Sequence, residues 1–532
     1  MKKSLIAAAL LGLPMIMSAQ SAVDAYTLSQ TELRGTARFM SMGGAFTALG
    51  GDLSSLNQNP AGIGVYRRSE VGVTLDISPR KFAATSPSTK MTTDKTKVNC
   101  NNFGYIGTMR LDGALRTFSW GASYNRIASF DRVFNAYQNP SPSSLSNYIA
   151  AFTGNTPEGT LNFDKDAGYN PYLDSDADWL SILAYSGYLI NPNGAGGYQG
   201  LANGNTIGDS YSMVREKGYV DEYSINFGGN VDNVVMWGIG FGITDLSFNQ
   251  TAIYSESMEN ATVPASDGTL QRGDAGFELG NYRSITGNGF NVKLGVILKP
   301  INELRFGFAV HTPTWYSMQN SSYADLTYSY FDQSMPDSDN NPLTGSDYTE
   351  NAAYNFRMTS PWKIMVGMAG VIGNMGIISV DYERQAYNNT RLSYEDSWGE
   401  YTPDDAVNQD TKDYFKAANI LRVGAELRVT PSLSLRAGYN YTSSTTKDGV
   451  LDGNVEVMTA GMNPAYVLNR DINSVSVGLG YRYKAFYVDG AYVYRKKNST
   501  YQAFTNYNGI KAPKADLTET TNSIVLSVGV KF

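Results

Sequence analysis

The 532-residue chain is poor in the side chains that build redox, metal and nucleophilic sites: it holds one cysteine, Cys100, and one histidine, His311. A single cysteine excludes an internal disulfide framework. A single histidine excludes a His-rich metal cluster and leaves a Ser-His catalytic arrangement no spare partner. Both read as ordinary wall or loop positions, so no enzyme activity, cofactor or metal is expected. Charge is sparse too, at 17% Asp, Glu, Lys and Arg with a net charge of -7, and no basic stripe is present to neutralise a nucleic-acid backbone. Long apolar runs are equally scarce. The uncharged stretch Leu5 to Met17 falls short of the ~20 residues a spanning helix needs. It follows Lys2 and Lys3 and precedes Ser18, Ala19 and Gln20, which is the layout of a secretory signal cut near Ala19. Residues 1-19 are therefore expected to be a signal peptide, and the mature chain to lack a helical anchor.

What is abundant is tyrosine, at 37 residues, and glycine, at 53, with 12% aromatics and a mean hydropathy of -0.29. That suits short half-buried strands between polar loops. The final segment shows the pattern plainly: Ile524, Leu526, Val528, Val530 and Phe532 alternate with Ser523, Ser527, Gly529 and Lys531. Successive strand side chains point to opposite faces, so one face tolerates lipid and the other water. The same test predicts strands near 69-77, 102-109, 117-126, 221-229, 234-246, 289-298, 303-311, 356-369, 376-384, 419-429, 432-442, 473-483, 485-494 and 522-532. Short links such as Asp112-Gly113 and Pro300-Ile-Asn302 alternate with long ones, of which 127-220 is an example. The run 322-331 reads as an extra extended piece within a loop. Short periplasmic turns and long external loops are the habit of an outer-membrane barrel. The expected fold is all-β: a 14-stranded antiparallel transmembrane β-barrel.

Strand parity sends Lys293, Arg305, Lys363, Asp381 and Glu383 into the lumen, and likewise Arg422, Glu426, Arg428, Arg436, Arg482 and Asp489. On the lipid face a mid-bilayer charge would cost ~2 to 4 kcal/mol, and none falls there. Tyr439, Tyr441, Tyr481, Tyr483, Phe486, Tyr492 and Tyr494 lie near strand ends, where amphipathic rings favour the membrane interface. In the long loop 127-220, Asp174, Asp176 and Asp178 open a run with Trp179, Leu180, Ile182 and Leu183 at neighbouring helical positions. Those four residues are candidates for an apolar extracellular rim; alternatively they pack beneath their own loop.

Residues 20-68 precede the first strand and hold Gly43-Gly44, Gly50-Gly51 and apolar residues that need cover. A barrel of this size leaves a lumen too wide for wall side chains to fill. The economical solution is a hatch folded inside the barrel, with residues 69-532 forming the wall and loops. Here Met42-Gly-Gly-Ala-Phe-Thr-Ala48, followed by Asn59-Pro60-Ala61-Gly62, resembles the hatch signature of the FadL-type outer-membrane transport family. Ser360-Pro-Trp-Lys363, Ser379-Val-Asp-Tyr-Glu383, Leu421 to Pro431 and Leu435-Arg-Ala-Gly-Tyr439 look like wall strands of its Bacteroidetes-type members. The resemblance implies a monomeric channel in the outer membrane of a Gram-negative bacterium. Through it hydrophobic small molecules such as long-chain fatty acids would diffuse without ATP, leaving when the hatch shifts, straight through or sideways through a wall opening. Gly43, Gly44, Asn59, Pro60 and Ala61 are then the hatch and gating candidates, although Asn59-Pro60-Ala61 also reads simply as a turn that packs the plug on the wall. Two other readings remain: a haem-binding receptor, with His311 as the one imidazole, and a scaffold or shuttle for type 9 secretion. A hydrolase lacks its nucleophile elbow, and an energised receptor needs a barrel of ~22 strands.

Overall fold

The computed structural model describes residues 20-264, 270-332, 343-373, 375-396 and 398-532, so the expected signal peptide lies outside the described residues. An antiparallel sheet curls round and closes because the last strand pairs with the first, from Glu70↔Lys531 to Thr85↔Asp516. Closure leaves no edge, which is what lets a sheet sit in hydrocarbon. The wall has 14 strands. The first seven are β1 (Glu70–Thr85), β2 (Lys90–Arg110), β3 (Leu115–Ser129), β4 (Ile207–Val231), β5 (Val235–Pro264), β6 (Leu270–Ile301) and β7 (Leu304–His311). The rest are β8 (Lys363–Ile372), β9 (Gly376–Gln385), β10 (Ala418–Arg428), β11 (Leu433–Thr442), β12 (Tyr466–Tyr483), β13 (Phe486–Gln502) and β14 (Lys514–Lys531). Leu75, Phe103, Phe241, Leu294, Val366, Leu421, Val477 and Leu526 stand exposed on the outer face, while Asn226, Lys293, Asp381 and Ser527 are buried inside. No helix of the described residues is long and apolar enough to cross a membrane.

The strands depart from the expected boundaries in two ways. First, β5 and β6 run for 30 and 32 residues. A bilayer needs only ~10, so alternation marked the spanning part, and the ladder continues outward as long as a paired neighbour is there. Second, the expected strand 356-369 is two pieces, Ala352–Thr359 and Lys363–Ile372, and β7 likewise breaks before Trp315–Asp332. Pro361 and Pro313 lack the N–H a ladder needs. The breaks are stitched to each other by Ser360 N donating to Thr314 O at 3.0 Å and Thr314 N donating to Ser360 Oγ at 2.8 Å. The run 322-331 belongs to the second of these pieces and pairs with β6.

Residues 20-65 fold inside the barrel as α1 (Ala22–Ser29), α2 (Ala37–Ser41), α3 (Ser55–Gln58) and the 3-10 turn Pro60–Val65. Caps, not length, make such short helices: Ser21 and Asp24 form a reciprocal capping box on α1, and Thr36 caps α2 at Phe39 N. Gly43, Gly44, Gly50 and Gly51 take φ of +62°, +77°, +63° and +68°, a region closed to most side chains, and so fold the segment back on itself. Met42, Phe46, Leu49, Leu53 and Leu56 find their cover there, each no more than 2% exposed.

Above the wall, residues 139-206 and the upper strands enclose a second apolar core. Leu180, Ile182 and Leu183 are buried in it, and Trp179 is packed against it. The apolar-rim reading of these four is thus corrected in favour of its alternative: the helix Trp179–Ser186 turns its apolar side inward, each buried side chain contributing ~1.5 to 3 kcal/mol. The helix Leu145–Thr153 is fixed to the wall by Glu256, which accepts from Ser144 Oγ at 2.5 Å, Leu145 N at 2.7 Å and Tyr254 OH at 2.5 Å. Burial pushes the Glu256 carboxyl up to about 7 and that of Asp178, the cap of Trp179–Ser186, up to about 6. A raised carboxyl pKa means that the folded lobe holds its proton more tightly than the unfolded chain. Its contribution is complete below the ordinary carboxylate range and is lost as pH rises to about 7. Hydrogen exchange of the Leu145–Thr153 amides, corrected for intrinsic rate, is expected to be slower at pH 5 than at pH 8. Glu256→Gln should flatten that difference, and an unchanged profile in the variant would contradict this role.

Candidate functional site: plug, wall gap and inner cavities

Where the plug meets the wall, the wall is glycine. A Cβ added at Gly295 would overlap Asn59 Oδ1; at Gly307, Thr47 O; at Gly238, Pro60 O; at Gly424, Met42 O; and at Gly438, Gly43 N. Gly238 faces Gly295, Gly307 faces Gly367, and Gly424 faces Gly438 across neighbouring strands, so these positions form a belt at one level of the barrel. The backbone of the plug rests directly on the backbone of the wall.

Polar contacts then fasten the seat. Arg38 Nε meets Glu426 Oε2 at 2.8 Å, and Arg436 bridges Glu426 Oε2 and Asp489 Oδ1 at 2.6 Å each. Thr47 N donates to Asp381 Oδ2 at 2.7 Å, and Arg305 donates to Leu49 O at 3.0 Å. Lys293 links Glu222 of the wall to Asn57 of the plug, and the His311 ring shares a hydrogen bond of 3.0 Å with Gln58 O. Asn59 does two jobs: its Nδ2 donates to Thr47 O at 2.6 Å and its Oδ1 accepts from Ala61 N at 3.0 Å. Pro60, with its φ fixed, opens the 3-10 turn. Gly43, Gly44, Asn59, Pro60 and Ala61 thus all lie on the plug's contact with the wall.

One seam of the wall is incomplete. β2 and β3 pair from Arg110↔Thr117 only as far as Asn102↔Asn125. Beyond that rung, β2 stays paired with β1 up to Lys90, and β3 with β4 up to Ser129, but not with each other. Side chains cross the gap: Arg126, anchored on its own side by Asp221 Oδ1 of β4 at 2.8 Å, reaches Asn99 Oδ1 of β2 at 3.1 Å, and Lys95 and Lys97 meet Asp131 Oδ1 at 3.0 and 3.2 Å. Outward-facing Phe103 just below it and Val98 beside it are 52% and 64% exposed, whereas the next outward residues, Thr96 and Asp94, are polar, so the gap opens at the upper edge of the apolar band. The plug takes up one freed acceptor, because Glu32 N donates to Ile127 O at 2.9 Å. Glu32 is in turn held by Arg34 and Arg495 at 2.8 Å each.

Behind the gap lie two cavities separated by Gln30 to Leu33 of the plug. The larger, about 110 Å³, is bounded by Asn125 and Arg126 at the gap and by Glu222, Lys293, His311, Lys363, Glu383 and Arg422 within. The smaller, about 70 Å³, touches Ser129 to Arg132, Arg80, Glu216, Arg495, Lys497 and Glu519. Both are polar. In the larger, Arg422 binds Glu383 Oε2 at 2.5 Å while its Nε and NH1 stay buried without partners, and Lys363 makes no hydrogen bond or ion pair among the described residues.

The structure therefore divides the lumen residues expected from parity into three groups. Lys293, Lys363, Glu383 and Arg422 line the larger cavity; Asp381, Glu426, Arg436 and Asp489 belong to the network that holds the plug; and Arg305, which also donates to the plug at Leu49 O, lies with Arg428 and Arg482 at the lower end of the wall. Arg126, Glu32 and Glu222 were missed, and His311 was set aside as an ordinary position. The signal that points to Arg126 is a charge at the last position of the expected strand 117-126, where the alternation ends. Among the described residues no three His, Cys, Asp or Glu side chains gather as a metal site would require.

No protein-family model and no curated protein matches the chain. Among solved structures, a Pseudomonas aeruginosa FadL homologue aligns with 94% of this chain and 99% of its own at a TM-score of 0.50 and 12% identity. A deltaS2 mutant of the TodX monoaromatic hydrocarbon channel aligns with 94% and 100% at 0.50 and 12%. At that identity the likeness establishes the fold: a closed barrel with the plug inside.

Proposed function

We propose that the chain is an outer-membrane channel for passive, hatch-gated uptake of hydrophobic small molecules, acting as a monomer and without catalysis. The observation that carries this reading is the β2-β3 seam. A window at the upper edge of the apolar band leads to a cavity and is stopped by Glu32 with its neighbours, a piece held there by polar contacts. Hydrophobic cargo arriving from above needs a lateral way out because the plug blocks the axis and water lies below it. The likeness to a channel described as one for monoaromatic hydrocarbons and to a FadL homologue supports the same reading. The lining of the larger cavity favours a cargo with a polar end. Lys363, which makes no ion pair among the described residues, and the two Arg422 nitrogens that lack acceptors suit the carboxylate of a long-chain fatty acid better than a neutral hydrocarbon, since charged donors gain from an anionic acceptor. His311, engaged with Gln58 O, would have to leave the plug to ligate haem.

The test is the initial rate of radiolabelled oleate uptake by intact cells that lack the chain, with and without it restored, alongside toluene uptake. Restoration is expected to raise oleate uptake severalfold with no dependence on an ATP-driven step at the outer membrane. Equal rates with and without the chain would overturn the proposal. In the same assay Lys363→Ala with Arg422→Ala is expected to lower oleate uptake more than toluene uptake; equal losses would argue against a carboxylate site.

A further inference from the structure

The lower mouth of the barrel, beneath the plug, carries a cluster of cations that form no ion pair among the described residues. The parity that turns Gly295, Gly307, Glu426 and Gly480 inward also turns Lys299, Arg305, Arg428 and Arg482 inward at the lower strand ends. Arg67 and Arg68, both exposed, join them from the link between plug and β1. None of the six makes an ion pair among the described residues. Arg305 spends one nitrogen on Leu49 O, but its Nε is buried and unpartnered. Lys299, Arg305 and Arg67 stand close enough to repel one another. The negative groups at this end are fewer: Glu70 is taken by Lys531 at 3.0 Å, Asp232 by Arg116 at 3.3 Å, and Glu426 and Asp489 by Arg436 at 2.6 Å each, which leaves Asp112, Glu303 and the carboxylate of Phe532. In a chain of net charge -7 this is a local concentration of positive charge.

Like charges held together destabilise the folded state unless something anionic joins them. Five of the six are arginines, whose planar fork matches the oxygens of a phosphate in a way a lysine point charge does not. Rings of Arg and Lys are also how pores favour anions and phosphates. We propose that the lower mouth is a phosphate-binding ring, open to the periplasmic side and independent of what the channel carries. The shared chemistry is a phosphate group. It can be supplied by a soluble polyphosphate or by the head group of an anionic phospholipid, because exposed Tyr481, Tyr483 and Phe486 place the mouth at a membrane interface.

The experiment uses the full-length protein in neutral-detergent micelles titrated with inorganic tripolyphosphate by calorimetry, and in nanodiscs of phosphatidylglycerol or phosphatidylcholine followed by native mass spectrometry. Saturable tripolyphosphate binding identifies a soluble source; selective retention of phosphatidylglycerol identifies the lipid. In either arm Arg428→Gln with Arg482→Gln, and separately Arg67→Gln with Arg68→Gln, should weaken binding at least tenfold, and added salt should weaken it further. Lys81→Gln with Lys90→Gln, in the upper lobe, should leave it unchanged. All four mouth positions are exposed, and retention of the heat-modifiable folded band establishes that the variants fold. Binding of neither probe, or equal binding by folded variants and parent, would overturn the proposal.

Discussion

A protein in which Gly295 and Gly307 are both valine is expected to leak. The added side chains would occupy the space of Asn59 Oδ1 and Thr47 O, neither of which can retreat without moving the plug. Overpacking costs about 1 to 3 kcal/mol at a site, and two such sites shift the balance between seated and unseated plug by about 30-fold or more. The wall has no equivalent way to give, since Gly295 is laddered to Gly238 and Ala309, and Gly307 to Gly367 and Ile297. The check is the open fraction of single channels in planar bilayers, together with the sensitivity of expressing cells to large antibiotics. Gly370→Val and Gly490→Val are the matched controls, because an added Cβ there meets nothing within 4 Å. A double variant as tight as these controls would mean that the glycine belt is not the seat.

Removing the carboxylate of Glu426 is expected to be the most destabilising single change at the plug. Glu426 makes the one ion pair of Arg38 among the described residues, and it shares Arg436 with Asp489. Glu426→Ala would leave a buried guanidinium unpaired, which costs ~3 to 5 kcal/mol. The intact network is worth far less than that figure relative to an apolar replacement, so the loss should be partly reversible. Arg38→Met added to Glu426→Ala removes the orphaned charge and is expected to recover a good part of the stability. Urea or thermal unfolding read by heat-modifiable mobility measures both. A loss below ~1 kcal/mol in the single variant, or no recovery in the double, would show that the wall tolerates the bare charge.

The barrel was legible because lipid and water impose a period of two on each spanning strand, and glycine, serine and charge at the inner positions do not disturb it. The upper reaches of β5 and β6 were not legible. Outside the bilayer both faces of a strand can be polar, as in Ser255, Glu256 and Ser257, and the alternation that marks a span disappears. The plug was readable as a segment in need of cover, from Met42, Phe46 and Leu53, and its glycine pairs marked its turns. That wall glycines such as Gly295 form its seat was not, because a strand glycine looks the same whether it faces a plug or a water-filled lumen. The helix at Trp179 shows the limit of an amphipathic stripe: the pattern names the face that seeks cover and says nothing of what covers it. The gap at Asn102 and Asn125 is a matter of pairing between strands, which alternation within each strand does not encode.

For cargo to pass, Glu32 and its neighbours must leave Ile127. The backbone contact of 2.9 Å between these residues brings them within disulfide reach. The direct measurement is oleate uptake by cells carrying Glu32→Cys with Ile127→Cys in a Cys100→Ser background, before and after reduction. With the crosslink complete, uptake should fall to that of cells lacking the chain, and reductant should restore it. Undiminished uptake through a fully crosslinked protein would contradict a moving hatch.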